Sequence, residues 1–215
     1  MIITEQKKFE DIAKSLEGFD KLILVGCGEC ATTCQTGGEK EVLEIKEKLE
    51  KIGKNILGCV IVDAVCDERL VRKEFSRVKE QISDADCFLC LGCGSGSGTL
   101  NDLYDIAVIP AVDTKFLGVI KRIGAYDERC SLCGECVLDK TLGICPVTRC
   151  SKGLMNGPCG GAKNGKCEVD DKLDCIWGLI FKRLKRYNKM DRLERFYPAK
   201  DYSSRPARAE KKSVV

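Results

Sequence analysis

Histidine is absent from this sequence, and its absence restricts the chemistry that the chain can perform. Without imidazole there is no His-based catalytic dyad and no mixed Cys/His zinc finger. Thiolate is then the soft metal ligand that remains, and the chain has 16 cysteines. No paired carboxylate motif for activating water stands out either. We therefore predict no catalytic residue in this chain.

Long apolar runs are also missing. No stretch approaches the ~18 residues of a membrane-spanning helix. The opening residues, MIITEQKKFEDIAKSLEGF, are charged throughout and lack the apolar segment of a secretion signal. We therefore expect a cytoplasmic protein with no membrane insertion. Because disulfides are disfavoured in a reducing compartment, this cysteine content indicates metal binding rather than a disulfide framework.

Aromatic residues are few, at 6% of the chain. Their scarcity affects how the basic C-terminal segment is interpreted. From Ile176 onward there are 12 Lys and Arg against 4 Asp and Glu, so the preceding residues are acidic in balance. A basic tail can bind nucleic acid, but this one has few rings to stack on bases. We expect no nucleic-acid binding. Residues 179–215 are interpreted as a C-terminal helix and a basic extended arm, from about residue 197, that docks on a partner protein.

Predicted helices and strands alternate over the first ~120 residues. The apolar spacing predicts helices over 4–18, 39–52, 67–82 and 99–104, and strands over 21–25, 55–62, 87–91 and 106–110. Such alternation implies right-handed crossovers and a parallel sheet covered by helices on both faces. For residues 1–122 we predict a small three-layer α/β domain of Rossmann-like or flavodoxin-like type.

The composition changes abruptly near Tyr126 to cysteine, glycine and short polar turns. The segment 123–178 has too few large apolar residues to bury a core, so metal–thiolate bonds are expected to supply its folding free energy. We predict a ferredoxin-like or irregular metal-binding module here.

The first group of cysteines follows the first predicted strand as Cys27-x-x-Cys30-x-x-x-Cys34. Ligands of open parallel sheets gather beyond the carboxyl ends of the strands, and Cys66 and Cys93 follow the next two strands. We predict a [4Fe–4S] site from Cys27, Cys30, Cys34 and Cys93, with Cys66 as the alternative fourth ligand. The glycine-rich residues 92–98 are interpreted as a flexible loop beside this cluster.

Three other cysteines, Cys59, Cys87 and Cys90, fall inside predicted strands and are interpreted as buried small hydrophobic residues. The spacing Gly26-x-Gly28-x-x-Ala31 is that of a dinucleotide fingerprint. Because cysteines occupy its turn, nucleotide binding is kept only as an alternative.

The second group puts three thiolates on one tight loop, Cys130-x-x-Cys133-x-x-Cys136, a spacing typical of cubane clusters, with Cys145 or Cys150 as the fourth ligand. The third group draws on Cys150, Cys159, Cys167 and Cys175. Since the cysteine before proline ligates the other cluster in two-cluster ferredoxins, Cys145 and Cys150 can exchange between these groups. We predict two [4Fe–4S] clusters, or three, with zinc as the alternative at one four-cysteine site.

These motifs carry a resemblance. Together with the Cys130 triplet, Gly143-Ile-Cys-Pro-x-x-Arg-Cys150, Asn156-Gly-Pro-Cys-Gly-Gly161, Asn164-Gly-x-Cys167 and Cys175-x-Trp177 resemble the methylenetetrahydrofolate reductase C-terminal domain family. The N-terminal Gly26-Cys-Gly-x-Cys-x-x-x-Cys34, Gly37-Gly38-Glu-Lys-Glu and Leu91-Gly-Cys-Gly94 are similar to the rest of a stand-alone member, the small MetV-type iron–sulfur subunit.

The resemblance implies a non-catalytic subunit that relays electrons to a partner. The implied partner is a flavin-containing TIM-barrel methylenetetrahydrofolate reductase subunit of MetF type, which converts methylene- to methyl-tetrahydrofolate in the Wood–Ljungdahl pathway. The implied donor is ferredoxin or a larger redox complex, and flavin and folate are expected only in the partner. The alternative is a zinc-binding scaffold that docks the catalytic subunit.

Overall fold

The computed structural model describes residues 1–203, which form two compact units. The N-terminal unit comprises Met1–Tyr126 and the C-terminal unit begins at Asp127. The boundary lies a few residues after the predicted one because the chain continues from the parallel sheet into further strands. Residues 204–215, the end of the predicted basic arm, lie outside the described residues.

The N-terminal unit contains seven strands and six helices. The strands are β1 (Ile2–Gln6), β2 (Lys21–Cys27), β3 (Asn55–Val62), β4 (Cys87–Cys90), β5 (Ala107–Pro110), β6 (Val112–Arg122) and β7 (Ala125–Glu128), the last crossing the unit boundary. The helices are α1 (Phe9–Ser15), α2 (Cys30–Thr33), α3 (Glu39–Lys51), α4 (Glu68–Phe75), α5 (Lys79–Asp84) and α6 (Gly94–Leu103). Among residues 1–203, no helix is long and apolar enough to span a bilayer.

Four strands form a parallel sheet in the order β3-β2-β4-β5, as predicted. Counted along the chain within this sheet, the order is 2-1-3-4, that of flavodoxin-like doubly wound sheets. The strand order reverses between β2 and β4. In sheets of this kind, ligands bind beyond the carboxyl ends of the strands at that point.

Helices cover both faces of the parallel sheet. Successive β2 residues point to opposite faces, so Leu22 and Leu24 pack with α1 and α3. Ile23 and Val25 pack with α4 and α6 on the other face. The result is three layers with two apolar clusters, one on each side of the sheet.

Three local predictions are wrong, each for a local reason. The helix expected over 67–82 is interrupted after α4, where the Ser76 hydroxyl donates to the Lys73 carbonyl at 2.6 Å and competes with the helical bonds. The glycine-rich run 92–98 is not a loop: α6 begins at Gly94, and Gly96 lets the helix lie close to Val65. The helix expected over 4–18 is the strand β1 followed by α1.

A second, antiparallel sheet with the order β1-β6-β7 was not predicted. β1 pairs with β6 along five residues, and the amino terminus donates to the Gly118 carbonyl at 3.1 Å. Gly118 is required there because a Cβ would lie 2.6 Å from Ile3 Cγ1. The first strand of the chain therefore depends on a partner strand more than 100 residues away.

The C-terminal unit is irregular, with the helices α7 (Pro146–Arg149) and α8 (Ile176–Arg186) and a 3₁₀ turn over Met190–Leu193. It nevertheless has a small apolar core. The core residues are Ile144, Ile176, Trp177, Ile180 and Leu184. This corrects the expectation of a module with no core, because α8, which the sequence analysis largely separated from the cysteine-rich segment, packs inside it.

Residues 190–200, here called the C-terminal strap, are fastened to the same unit. The Asn156 side chain donates to the Tyr197 carbonyl and accepts from the Tyr197 N–H, both at 2.8 Å. The Lys140 ammonium lies 4.7 Å from the centre of the Tyr197 ring, and Lys200 donates to the Glu135 carbonyl. The arm predicted to reach a partner from residue 197 therefore contacts its own unit as far as Lys200.

The first prediction concerns Gly37, whose carbonyl accepts from the Cys27 N–H at 2.9 Å. A Cβ at Gly37 would lie 1.8 Å from the Leu91 carbonyl oxygen. Gly37→Ala should lower the free energy of unfolding by about 2 kcal/mol or more through overpacking. Gly58→Ala is the control, since a Cβ there has no neighbour within 4 Å. Urea denaturation followed by circular dichroism measures both, and equal midpoints would contradict the packing.

The second prediction concerns the strap. Asn156→Ala removes two hydrogen bonds to Tyr197, so the strap should open about five- to thirtyfold more often, from roughly 1 kcal/mol per bond. Limited trypsin digestion should cleave after Arg195 correspondingly faster. Asn101→Ala, on α6, is the control and should leave the rate unchanged. Equal cleavage of the wild type and Asn156→Ala would show that this contact does not hold the strap.

Candidate metal centres

Four cysteines gather at the carboxyl-terminal edge of the parallel sheet. Cys27 ends β2, Cys66 follows β3, Cys93 follows β4, and Cys30 begins α2. Partial burial raises the pKa of the Cys66 thiol, and the charges of Cys93, Cys27 and Cys30 raise it further. The four sulfur atoms therefore lie near one another, at the point where the strand order reverses.

Cys34 occupies a different position from these four. Its thiol donates to the Ile2 carbonyl in β1 at 3.8 Å, and it does not contribute to the shift of the Cys66 pKa. In this structure Cys66 therefore lies at the sheet edge, whereas Cys34 contacts β1. The sequence analysis had preferred Cys34 in that set and kept Cys66 as the alternative.

The antiparallel sheet closes over the cysteine loops. Each of its three strands makes at least one hydrogen bond to this region. The bonds run from Ile2 N–H to Cys30 Sγ (3.4 Å), from Gly94 N–H to Thr114 Oγ1 (2.8 Å) and from the Tyr126 hydroxyl to the Thr33 carbonyl (3.0 Å). A group held at the sheet edge would therefore lie between two sheets. Sequence reasoning missed this cover, although the β-branched run Ile2-Ile3-Thr4 is a strand signal.

The dinucleotide-like spacing at Gly26 and Gly28 has a packing explanation. A Cβ at Gly26 would lie 2.6 Å from Ile61 Cδ1, and one at Gly28 would lie 3.1 Å from Asp63 Cα. Both glycines let the turn that carries Cys27 pack against the end of β3. The spacing is explained without a bound nucleotide.

Two cysteines in β4 are buried, as predicted. Cys87 and Cys90 are fully inaccessible, and burial raises the pKa of each thiol to about 11. Both therefore stay protonated near neutral pH and are poor metal ligands. Cys59 in β3 is only half-buried, and burial raises its pKa as well.

In the C-terminal unit, four cysteines line one cavity: Cys150, Cys159, Cys167 and Cys175. Cys150 follows α7 and Cys175 precedes α8, whereas the other two lie on turns between these helices. Two helix ends and the turns between them therefore bring four thiols to one space.

Polar groups beside this cavity contact two of its thiols. The Ser151 hydroxyl lies 3.6 Å from Cys167 Sγ and, with nearby backbone N–H groups, lowers the pKa of Cys167. The Cys159 thiol donates to Glu168 Oε2 at 3.5 Å, and Lys152 pairs with the same carboxylate. These two contacts, Lys152 first, lower the pKa of Glu168.

The glycines of the Asn156–Gly161 motif shape the same cavity. A Cβ at Gly161 would lie 1.1 Å from Glu168 Oε2, so the carboxylate occupies the space that a side chain at residue 161 would fill. Gly160 has φ +83°, a conformation that glycine adopts readily. Asn156 itself fastens the strap, a role that the sequence analysis did not assign.

The remaining cysteines of this unit lie on one irregular loop: Cys130, Cys133 and Cys136. Thr148 in α7 connects this loop to Cys145, because its hydroxyl accepts from the Cys145 thiol at 3.7 Å and donates to Ser131 at 3.2 Å. Cys145 therefore lies beside the triplet loop, while Cys150 lines the cavity. Spacing alone had left these two cysteines interchangeable.

A single metal ion and an iron–sulfur cluster require different spacings between the cysteine thiols that hold them. Among residues 1–203, no three Cys, Asp or Glu side chains approach closely enough to hold one metal ion. One zinc ion, with Zn–S bonds of about 2.3 Å, needs its thiolates about 4 Å apart. A cubane attaches each thiolate to a different iron and so suits thiols spread around a cavity. All 16 cysteines lie within the described residues and are free thiols.

Comparison with known proteins identifies the second half of the chain. Residues 109–203 match a protein family described as methylene-tetrahydrofolate reductase C terminal. The match begins in β5, includes β6 and β7, and covers the C-terminal unit as far as it is described. No curated protein and no solved structure matches the chain. Residues 109–203 are therefore similar to the methylene-tetrahydrofolate reductase C-terminal family.

Proposed function

We propose that this chain is an iron–sulfur electron-transfer subunit of a methylenetetrahydrofolate reductase. The observation that carries the proposal is the cavity walled by four free cysteines within the segment that matches the reductase family. The catalytic partner in this proposal is a flavin-containing TIM-barrel subunit of MetF type, which converts methylene- to methyl-tetrahydrofolate. Ferredoxin or a larger redox complex donates the electrons, and the complex is cytoplasmic.

Twelve cysteines divide into three candidate sets of four. The sets are Cys27, Cys30, Cys66 and Cys93 at the sheet edge; Cys130, Cys133, Cys136 and Cys145 on the triplet loop; and Cys150, Cys159, Cys167 and Cys175 around the cavity. A [4Fe–4S] cluster, when bound, accepts and releases single electrons. We propose at least two such clusters, one at the sheet edge and one in the cavity. The set on the triplet loop is the candidate site of a third cluster.

The neighbouring residues would tune such a site. The Ser151 hydroxyl stabilises the negative charge of Cys167. The Lys152 ammonium pairs with the Glu168 carboxylate, which also accepts a hydrogen bond from the Cys159 thiol. Hydrogen bonds to sulfur and nearby positive charge raise a cluster's reduction potential. Trp177 walls the cavity and is held by a 3.0 Å hydrogen bond to the Leu154 carbonyl, so its indole has a fixed position beside the cysteines.

The third prediction tests the metal directly. The full-length chain, purified without oxygen, should be brown, absorb broadly near ~400 nm and contain about eight to twelve irons, four per cluster. Reduction should produce electron paramagnetic resonance signals. A colourless protein with stoichiometric zinc would contradict the proposal and favour the zinc-held scaffold.

The fourth prediction tests the assignment at the sheet edge. Cys66→Ser should lower the iron content by about four per chain, because the thiolate of one cubane corner is lost. Cys34→Ser is the matched control and should retain all iron, since Cys34 contacts β1 instead. Iron analysis of both variants is the measurement. The opposite pattern would restore Cys34 to the ligand set and remove Cys66.

A further inference from the structure

An apolar groove lies directly beside the cysteine cavity of the C-terminal unit. The two spaces share the wall formed by Pro158, Ala162, Cys175 and Trp177. A group seated in the groove is therefore separated from the cavity by the thickness of these side chains. The proposed electron-transfer function assigns no role to this groove.

Helix α8 supplies the opposite wall of the groove. Gly178, Phe181, Lys182 and Lys185 share one helix face by their i, i+3, i+4 and i+7 spacing. Phe181 is 46% exposed, although it is a large aromatic residue and borders the groove. An exposed apolar contact of this kind often marks a binding surface.

The border of the groove is positively charged. Within α8 there are four basic residues and no acidic one. The carboxylate of Asp174, which also experiences the charge of Lys182, is ion-paired with Lys166 at 2.7 Å. That carboxylate therefore does not cancel the positive charge of Lys182 and Lys185.

We propose that this groove is the docking site of an acidic electron-transfer protein, which places an apolar side chain against Phe181 and carboxylates beside Lys182 and Lys185. The proposal rests on the function proposed above. Each encounter passes one electron from the reduced carrier, which is oxidised, to the thiolate-held cluster, which is reduced, and no bond forms or breaks. Because Cys175 belongs to the wall that the groove and the cavity share, a carrier docked in the groove lies close to the proposed cluster.

The positive charge beside the groove favours a transient carrier as the occupant rather than a permanent subunit. Redox encounter complexes bury less than about 1,200 Å² and depend on complementary charge. Permanent subunit interfaces are larger and more apolar. A single groove beside one helix, bordered by lysines, matches the first class.

The test is anaerobic stopped-flow reduction of the full-length, cluster-loaded chain by a prereduced acidic two-cluster ferredoxin. Lys182→Glu combined with Lys185→Glu should lower the second-order rate constant about tenfold or more at low ionic strength, with a smaller effect in high salt. Lys40→Glu combined with Lys79→Glu changes the net charge equally on exposed N-terminal helix positions and should have little effect.

A second pair of variants tests the apolar contact independently of charge. Phe181→Ala should slow reduction at every salt concentration. Phe196→Ala is its control, because Phe196 is 81% exposed and does not line the groove. Reduced methyl viologen, a small donor that needs no docking surface, should reduce all these proteins at the wild-type rate.

The outcomes separate the docking site from the function on which it rests. Wild-type rates with ferredoxin for both α8 variants, at full iron content, would overturn the docking site and leave the electron-transfer function standing. Equal slowing by the control lysine pair would also overturn it, since net charge alone would explain the effect. A wild-type chain that neither ferredoxin nor methyl viologen reduces would refute the function itself.

Discussion

Each candidate centre requires four thiols from separated parts of the chain to lie around one space, and the rest of the structure serves that requirement. At the sheet edge, the ends of three parallel strands bring Cys27, Cys66 and Cys93 together. Two apolar clusters hold that sheet, so this set does not need metal to assemble. The described part of the C-terminal unit has one small core, and each buried apolar side chain contributes about 1.5–3 kcal/mol. There, metal–thiolate bonds are expected to supply much of the folding free energy.

The two units also enclose their thiols differently. In the N-terminal unit, each strand of the antiparallel sheet makes at least one hydrogen bond to the cysteine loops. In the C-terminal unit, Trp177, the turns around Cys159 and the start of α8 enclose the cavity. Enclosure lowers the local dielectric and excludes water, and both conditions set the potential of a redox centre.

The sequence predicted what depends on local pattern and missed what depends on distant partners. Strands β2 to β5 were predicted because each is a short apolar run between turns. β1 was missed because its partner, β6, lies more than 100 residues away and the apolar spacing of residues 4–18 also suits a helix. The spacing also could not assign Cys145 and Cys150, since that division depends on the contact of Thr148 with Ser131. The core of the C-terminal unit was missed because α8, which supplies it, follows the last cysteine.

The most direct test of the account is anomalous diffraction from crystals grown without oxygen, with data collected on both sides of the iron and zinc absorption edges. The account predicts iron density for a four-iron cluster inside the cavity walled by Cys150, Cys159, Cys167 and Cys175. A single zinc peak there, or sulfur atoms of these cysteines bonded to one another, would contradict it.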